Sequence, residues 1–140
     1  MSQLENTRTP TPLKLSALWT AATFCYLYCD YFELYVPGKL QSMLAGRMEP
    51  LGPVTQTALM GPSVLMAIPS VLIALCLLLP PVAVRYLNLA VAAFFTLMMA
   101  AFVVWVDWHF YQFFALVETC LTGTIFWVAL KWPKCGVPHP

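Results

Sequence analysis

Four long apolar segments constrain the fold of this 140-residue chain more than any other feature. They cover residues 13–36, 55–79, 84–106 and 108–132. Each approaches or exceeds the ~20 residues that a helix needs to cross ~30 Å of hydrocarbon. None shows the alternation of apolar and polar residues that is typical of membrane β-barrel strands. Because the connections are short, neighbouring helices should run antiparallel. We therefore predict an all-α membrane protein, an antiparallel four-transmembrane-helix bundle.

The composition excludes an ordinary soluble domain. The chain is 61% hydrophobic and only 9% charged, whereas soluble domains average about 25% charged residues. Such a chain has too few charges to coat a surface that faces water, so we expect the lipid bilayer to be its main partner. A net charge of +1 without a dense Lys/Arg cluster predicts no nucleic-acid partner.

Basic residues near the segment ends predict the orientation. We expect a polar tail over residues 1–12, a membrane domain over 13–132 and a second tail over 133–140. The side of the membrane that holds both tails carries five basic residues: Arg8, Lys14, Arg85, Lys131 and Lys134. The opposite side carries Lys39 and Arg47. The positive-inside rule then predicts a multi-pass protein of the plasma (inner) membrane with both termini in the cytoplasm.

The longest connection, residues 37–53, lies on the predicted outer side. Leu40, Met43 and Leu44 follow helical spacing within it. This pattern predicts a short amphipathic segment lying at the membrane interface. An ordinary loop that returns the chain to the membrane is the alternative interpretation.

Two acids interrupt the end of the first apolar segment, in "YLYCDYFELYVPG". On a helical wheel they continue one narrow stripe, formed by Trp19, Thr23, Tyr26, Asp30 and Glu33. Residues spaced by three and four share a helix face, so this face is polar. Asp30 would lie ~9 Å below the helix end at Pro37. Glu33 is closer to the headgroups, where simple solvation is an alternative to a role in binding.

A third acid lies deeper, on the fourth segment. Tyr111, Glu118 and Thr122 share a stripe there, and Glu118 would lie ~15 Å below Trp108. A charge near the bilayer centre costs at least ~2.5 kcal/mol. Glu118 should therefore face the interior and be either protonated or paired. Tyr26 and Asp30 are groups that it can reach.

These stripes predict a polar pocket that opens toward the outside. Asp30 and Glu118 are the candidate catalytic pair, because two nearby carboxylates in a low dielectric bind protons with different affinities. The candidate ligand-binding residues are Tyr26, Tyr111, Thr122, Asn88, Trp19 and Glu33. In the alternative interpretation, the acids are hydrogen-bonded contacts that hold the first and fourth helices together.

Metal and redox chemistry have little support in the sequence. The five cysteines form no CxxC pair, and His109 is the only histidine near the apolar segments. A zinc or haem site usually needs more closely grouped ligands. We expect no metal and no cofactor.

Three stretches carry a resemblance to a known family: "LWTAATFCYLYCDYFELYVPGKLQSMLAG", "GPSVLMAIPSVLIAL" and "FALVETCLTGTIFWVALKW". Together they resemble a family of small prokaryotic four-span integral membrane proteins of unknown function. The resemblance implies a four-helix inner-membrane protein, and it implies neither an activity nor site residues. The resemblance implies an acid at the position where this chain has Ala67. The second segment therefore supplies no carboxylate to a mechanism.

The function predicted from these features is binding of a small or amphiphilic ligand in the polar pocket, and proton-coupled transport is one form that this function can take. A membrane-embedded acid–base enzyme acting on an apolar substrate, such as an isomerase, cyclase or epoxide-opening enzyme, is the second hypothesis. An accessory subunit of a membrane complex is the third. Helix faces rich in small residues can pack within one subunit or between subunits, so a homo-oligomer is an alternative to a monomer.

Overall fold

The computed structural model describes residues 9–48 and 52–133. Its elements are α1 (Thr11–Glu33), α2 (Lys39–Leu44), β1 (Arg47–Met48), β2 (Gly52–Pro53), α3 (Gln56–Leu78), α4 (Pro81–Trp105) and α5 (His109–Leu130). The prediction of an all-α protein is confirmed. Most of both predicted tails lies outside the described residues, as do Arg8 and Lys134.

Proline and threonine residues set the helix starts. Pro12 and Pro81 lie in the first turns of α1 and α4, where a missing amide hydrogen costs nothing. Thr55 caps α3, because its Oγ1 accepts a hydrogen bond of 3.1 Å from the Ala58 amide. At α5 the N-cap residue is Trp108, and no side chain caps that helix end.

The segment between α1 and α3 is a compact turn with its own short elements. Gly38 has φ +85°, a left-handed conformation that favours glycine, and it directly precedes α2. The Lys39 ammonium group pairs with the Glu33 carboxylate across this turn. The strands β1 and β2 pair antiparallel, with Arg47 opposite Pro53. Sequence analysis did not predict this hairpin, because two-residue strands have no readable alternation.

Packing among the four long helices is uneven. α1 packs against both α3 and α5, and α5 also packs against α4. α3 and α4 approach closely at few positions, although only Leu79 and Pro80 separate them. The core lies along the inner face of α1, where Leu15, Trp19 and Ala22 are fully buried.

Polar side chains join the helices inside this core. Trp19 Nε1 donates a hydrogen bond of 2.7 Å to Asn88 Oδ1, between α1 and α4. Ser16 Oγ donates to the Ile73 carbonyl at 2.9 Å, between α1 and α3. The interior is therefore not purely apolar, as the stripes in the sequence predicted.

Within the described residues, three helices are long and apolar enough to cross a membrane: α3, α4 and α5. Such length and apolar composition are what a helix needs to cross the hydrocarbon layer of a membrane. α1 has 23 residues, but it is not among the three. Its sequence includes Lys14, Asp30 and Glu33 as well as several hydroxyl-bearing side chains, which lower its apolar character.

Candidate functional site

All four long helices line one cavity of about 220 Å³, which we call the carboxylate cavity. It lies near the hairpin end, which is the end of the helices where α1 ends and α3 begins. Its lining residues are Tyr26, Cys29, Asp30, Pro62, Leu65, Met66, Met98, Met99, Phe102, Tyr111 and Glu118. Both predicted acids therefore reach the same cavity, together with two of the predicted tyrosines.

Glu118 is the most unusual side chain in this cavity. It is only 3% exposed, and its Oε1 has no hydrogen-bond partner among the described residues. No lysine or arginine lines the cavity. Buried polar groups are normally satisfied, because leaving one unpaired is costly. An unpaired carboxyl oxygen at a cavity wall is therefore a group available for a ligand or for water.

Tyr26 repeats this arrangement on α1. Its side chain is 4% exposed, and its hydroxyl oxygen is also buried without a partner. Its ring lies 5.9 Å from the Phe95 ring, a contact that holds the tyrosine in place. Tyr111 on α5 lies against Phe102, with ring centroids 6.2 Å apart in an edge-to-face arrangement. The cavity thus offers two unpaired oxygen groups, and apart from Asp30 and Cys29 the rest of its wall is apolar or aromatic.

Asp30 lies at the rim of the carboxylate cavity rather than inside it. Its side chain is exposed, in contrast to the buried Glu118. Asp30 and Tyr26 also line an adjacent cavity of about 240 Å³ between α1 and α3. The two acids therefore differ in depth, with one carboxylate at the mouth and one carboxyl group at the base.

The structure does not bring the other predicted site residues to this cavity. Trp19 and Asn88 bond to each other deeper in the core. Thr122 Oγ1 donates to the Glu118 carbonyl at 2.8 Å and lies 2.9 Å from Thr96 Oγ1. Glu33 is engaged with Lys39. These residues join helices or order a turn in the structure.

Sequence analysis missed several lining residues, above all Cys29 and the methionines Met66, Met98 and Met99. Cys29 lies three residues after Tyr26 on the same helix face. That spacing was the signal that could have found it. Met66 and Met98 carry no such signal, because apolar residues surround them on both sides, whereas Met99 follows Asn88 and Thr96 at helical spacing.

A larger cavity of about 360 Å³ lies outside this site, between the end of α1 and the start of α5. It is lined by Phe32, Tyr35, Val36, Trp108, Phe110 and Phe114. It contains no titratable carboxyl or amine and no buried unpaired group, so the smaller cavity is the better candidate for chemistry. Across residues 9–48 and 52–133, no group of three or more His, Cys, Asp or Glu side chains is arranged to hold a metal ion.

The fold and the cavity together define a small all-α protein with three helices apolar enough to span a membrane and a carboxylate-bearing cavity among its helices. The model of a family described as "Family of unknown function (DUF6326)" matches residues 5–137. The chain belongs to this family, so the predicted resemblance to a family of unknown function is confirmed. No curated protein and no solved structure is significantly similar to the chain.

Proposed function

We propose that the chain is an integral membrane protein in which α1 joins α3, α4 and α5 as a fourth span. The support comes from how α1 distributes its side chains. Trp19 and Tyr26 face the core, while the opposite face exposes Phe24, Leu27 and Tyr28. A helix whose outer face is apolar is stable against lipid rather than against water. The four spans then form an antiparallel bundle.

The proposed orientation places the hairpin end outside the cell and both termini in the cytoplasm. Among the described residues, Lys14, Arg85 and Lys131 lie near the opposite helix ends, and the hairpin end carries Lys39 and Arg47. The larger number of basic residues at the end away from the hairpin favours the cytoplasm there. The carboxylate cavity then opens outward.

We propose that the carboxylate cavity binds a small or amphiphilic ligand and couples its movement to that of a proton. The unpaired Oε1 of Glu118 is the observation that carries this proposal. A carboxyl group changes its charge when it gains or loses a proton, so the affinity of the cavity for a ligand changes with it. Asp30 at the rim would exchange protons with water, and Tyr26 would hydrogen-bond the ligand.

A membrane-embedded acid–base enzyme is the second candidate function. The Tyr26 hydroxyl and the Glu118 carboxyl face one apolar cavity without partners. A positioned acid and a hydrogen-bond donor are what proton-transfer catalysis needs. Turnover by the purified protein in detergent, where no gradient exists, would favour the enzyme over the transporter.

The experiment that tests ligand binding compares Glu118→Gln with Glu33→Gln. Both variants remove one acid, but only Glu118 lines the cavity. A panel of small amphiphiles of positive, negative and zero charge is screened by thermal unfolding of the protein in nanodiscs. Because a ligand stabilises the state that it binds, we expect at least one compound class to stabilise wild type and Glu33→Gln but not Glu118→Gln. An identical response of all three folded proteins would contradict the proposal.

Transport is tested separately in proteoliposomes that contain a pH-sensitive dye. Compounds that pass the screen should drive proton movement with wild type and with Glu33→Gln. The Glu118→Gln variant should insert into the proteoliposomes and remain folded, but it should move no protons. Proton movement equal to that of wild type would rule out Glu118 as the coupling group.

A further inference from the structure

The gap between α3 and α4 contains a further cavity, which is apolar. This groove has a volume of about 330 Å³. It is lined on α3 by Val64, Ile68 and Leu75, among others, and on α4 by Leu87 and Val91. Val64 is 55% exposed and Ile68 is 36% exposed, so the groove is open on its outer side. Neither a charged residue nor a hydroxyl group lines it.

The groove lies further along the helix axes than the carboxylate cavity, toward the end of α3 and the start of α4. On α3, Leu65 lines the carboxylate cavity, and Ile68 and Leu72, three and seven residues further along the same face, line the groove. On α4, Met98 lies in the cavity and Leu87 in the groove. Eleven residues of helix separate these two positions, which corresponds to ~16 Å. Along the helices, the two cavities thus place a carboxyl group near one end and an apolar groove near the other.

The charged residues that line the carboxylate cavity determine whether a cation or an anion can bind there. The cavity presents Asp30 and Glu118 and no basic side chain. An anion placed there would meet one or two carboxylates without a compensating cation, which is costly in a low dielectric. A cation instead finds carboxylates and the rings of Tyr26, Tyr111 and Phe102, whose faces attract positive charge.

We propose that the ligand is a single-chain cationic amphiphile, a long-chain alkylammonium ion in chemical class. Its ammonium head occupies the carboxylate cavity and donates to Glu118 Oε1. Its alkyl chain lies in the groove between α3 and α4, and it enters from the lipid through the open side of that groove. The proposal rests on the proposed function of the same cavity and adds the ligand's charge, its shape and its route of entry.

The head group is tested with four probes that differ in one property at a time. They are dodecylammonium, butylammonium, dodecanol and dodecanoate, each titrated into the protein in zwitterionic nanodiscs, with empty nanodiscs as the blank. We expect dodecylammonium to bind at least about tenfold more tightly than dodecanol or dodecanoate, a difference of about 1.4 kcal/mol. Glu118→Gln should remove this preference and Glu33→Gln should keep it.

The proposed position of the ligand's alkyl chain is tested by variants that narrow the groove. Val91→Phe adds a ring inside the groove, and Ala67→Leu fills it from α3, where Ala67 also lines it. Both variants should weaken dodecylammonium binding several-fold and leave butylammonium binding unchanged. Val104→Phe is the matched control, because Val104 is 79% exposed on α4 and lies outside the groove.

Each remaining outcome overturns a defined part of the account. Binding of dodecanol as tight as that of dodecylammonium, yet dependent on Glu118, overturns the cationic ligand and leaves the proposed function standing. Equal effects of Val91→Phe and Val104→Phe on dodecylammonium overturn the groove. If no probe binds in a manner that depends on Glu118, this inference fails, and the wider amphiphile panel then decides whether the proposed function fails with it.

Discussion

Trp19 and Asn88 are both fully buried, and the indole Nε1 of Trp19 donates a hydrogen bond of 2.7 Å to Asn88 Oδ1. The bond joins α1 to α4 across the centre of the protein. Asn88 Nδ2 in turn donates to the Val84 carbonyl at 2.8 Å. Phe95 packs against both Trp19 and Tyr26, with 5.9 Å between ring centroids in each case. The layer that contains this bond therefore supports a wall of the carboxylate cavity.

Replacing Asn88 by leucine should be strongly destabilising. Leucine keeps the number of side-chain heavy atoms, but the Trp19 N–H then lies buried without an acceptor, which costs about 1–3 kcal/mol. Unfolding in mixed micelles of sodium dodecyl sulfate and a mild detergent measures the loss. The double variant Trp19→Phe with Asn88→Leu should recover part of it, because both polar groups are then gone. A double variant as unstable as the sum of its single changes would show that the bond does not carry the effect.

The contact between α4 and α5 gives two further predictions, one of destabilisation and one of tolerance. Thr122→Val removes the hydroxyl that bonds Thr96 and should cost about 0.6 kcal/mol, the average for such bonds in membrane helices. Gly123→Ala should not destabilise, because a Cβ there would meet only Thr96 Cγ2, at 4.0 Å. Thr124→Val is the control for the first change, since Thr124 is exposed and bonds only within its own helix. A loss for Thr124→Val as large as that for Thr122→Val would contradict the first assignment.

Asp30 and Glu118 should act on a ligand as a coupled pair. Residues that share one cavity show non-additive effects of 0.5–3 kcal/mol, in order of magnitude about a few-fold to a hundredfold in affinity. We expect Asp30→Asn and Glu118→Gln each to weaken dodecylammonium binding and the double variant to weaken it by less than the product of the two factors. Titration of the four proteins in nanodiscs measures this. Strictly multiplicative effects would indicate that the acids serve separate sites.

The sequence predicted the helical faces better than the positions of individual side chains. The stripe of Trp19, Tyr26 and Asp30 pointed correctly to the inner side of α1, because spacings of three and four define a face. The buried face of α1 nevertheless runs through Ala22 and Cys29 rather than through Asp30. Asp30 is the residue after Cys29, so it lies at the edge of that face and at the rim of the cavity. Glu33, one turn further, leaves the stripe and pairs with Lys39.

The relation between α3 and α4 was beyond what sequence patterns predict. A two-residue link implies antiparallel neighbours, but it does not decide how closely they pack along their length. Leu79 and Pro80 both have extended backbone angles, with ψ of 157° and 149°. Rows of bulky side chains such as Leu75 and Leu87 face the gap. The groove results from tertiary packing, which residue spacing within a single helix does not encode.

The proposed function requires that water reaches the cavity beside Glu118 while the outer faces of the helices lie in lipid. Cys29 and Cys120 test it together. Cys29 is 4% exposed but lines the carboxylate cavity, whereas Cys120 is exposed on the outer face of α5, near its middle. Each is kept as the single cysteine of the chain and treated in intact cells with a charged, membrane-impermeant thiosulfonate.

We predict that Cys29 is labelled and that Cys120 is not, although Cys120 has the greater exposed area. Dodecylammonium should slow the labelling of Cys29. Rapid labelling of Cys120 with no labelling of Cys29 would contradict the account, because it would place α5 in water and close the cavity.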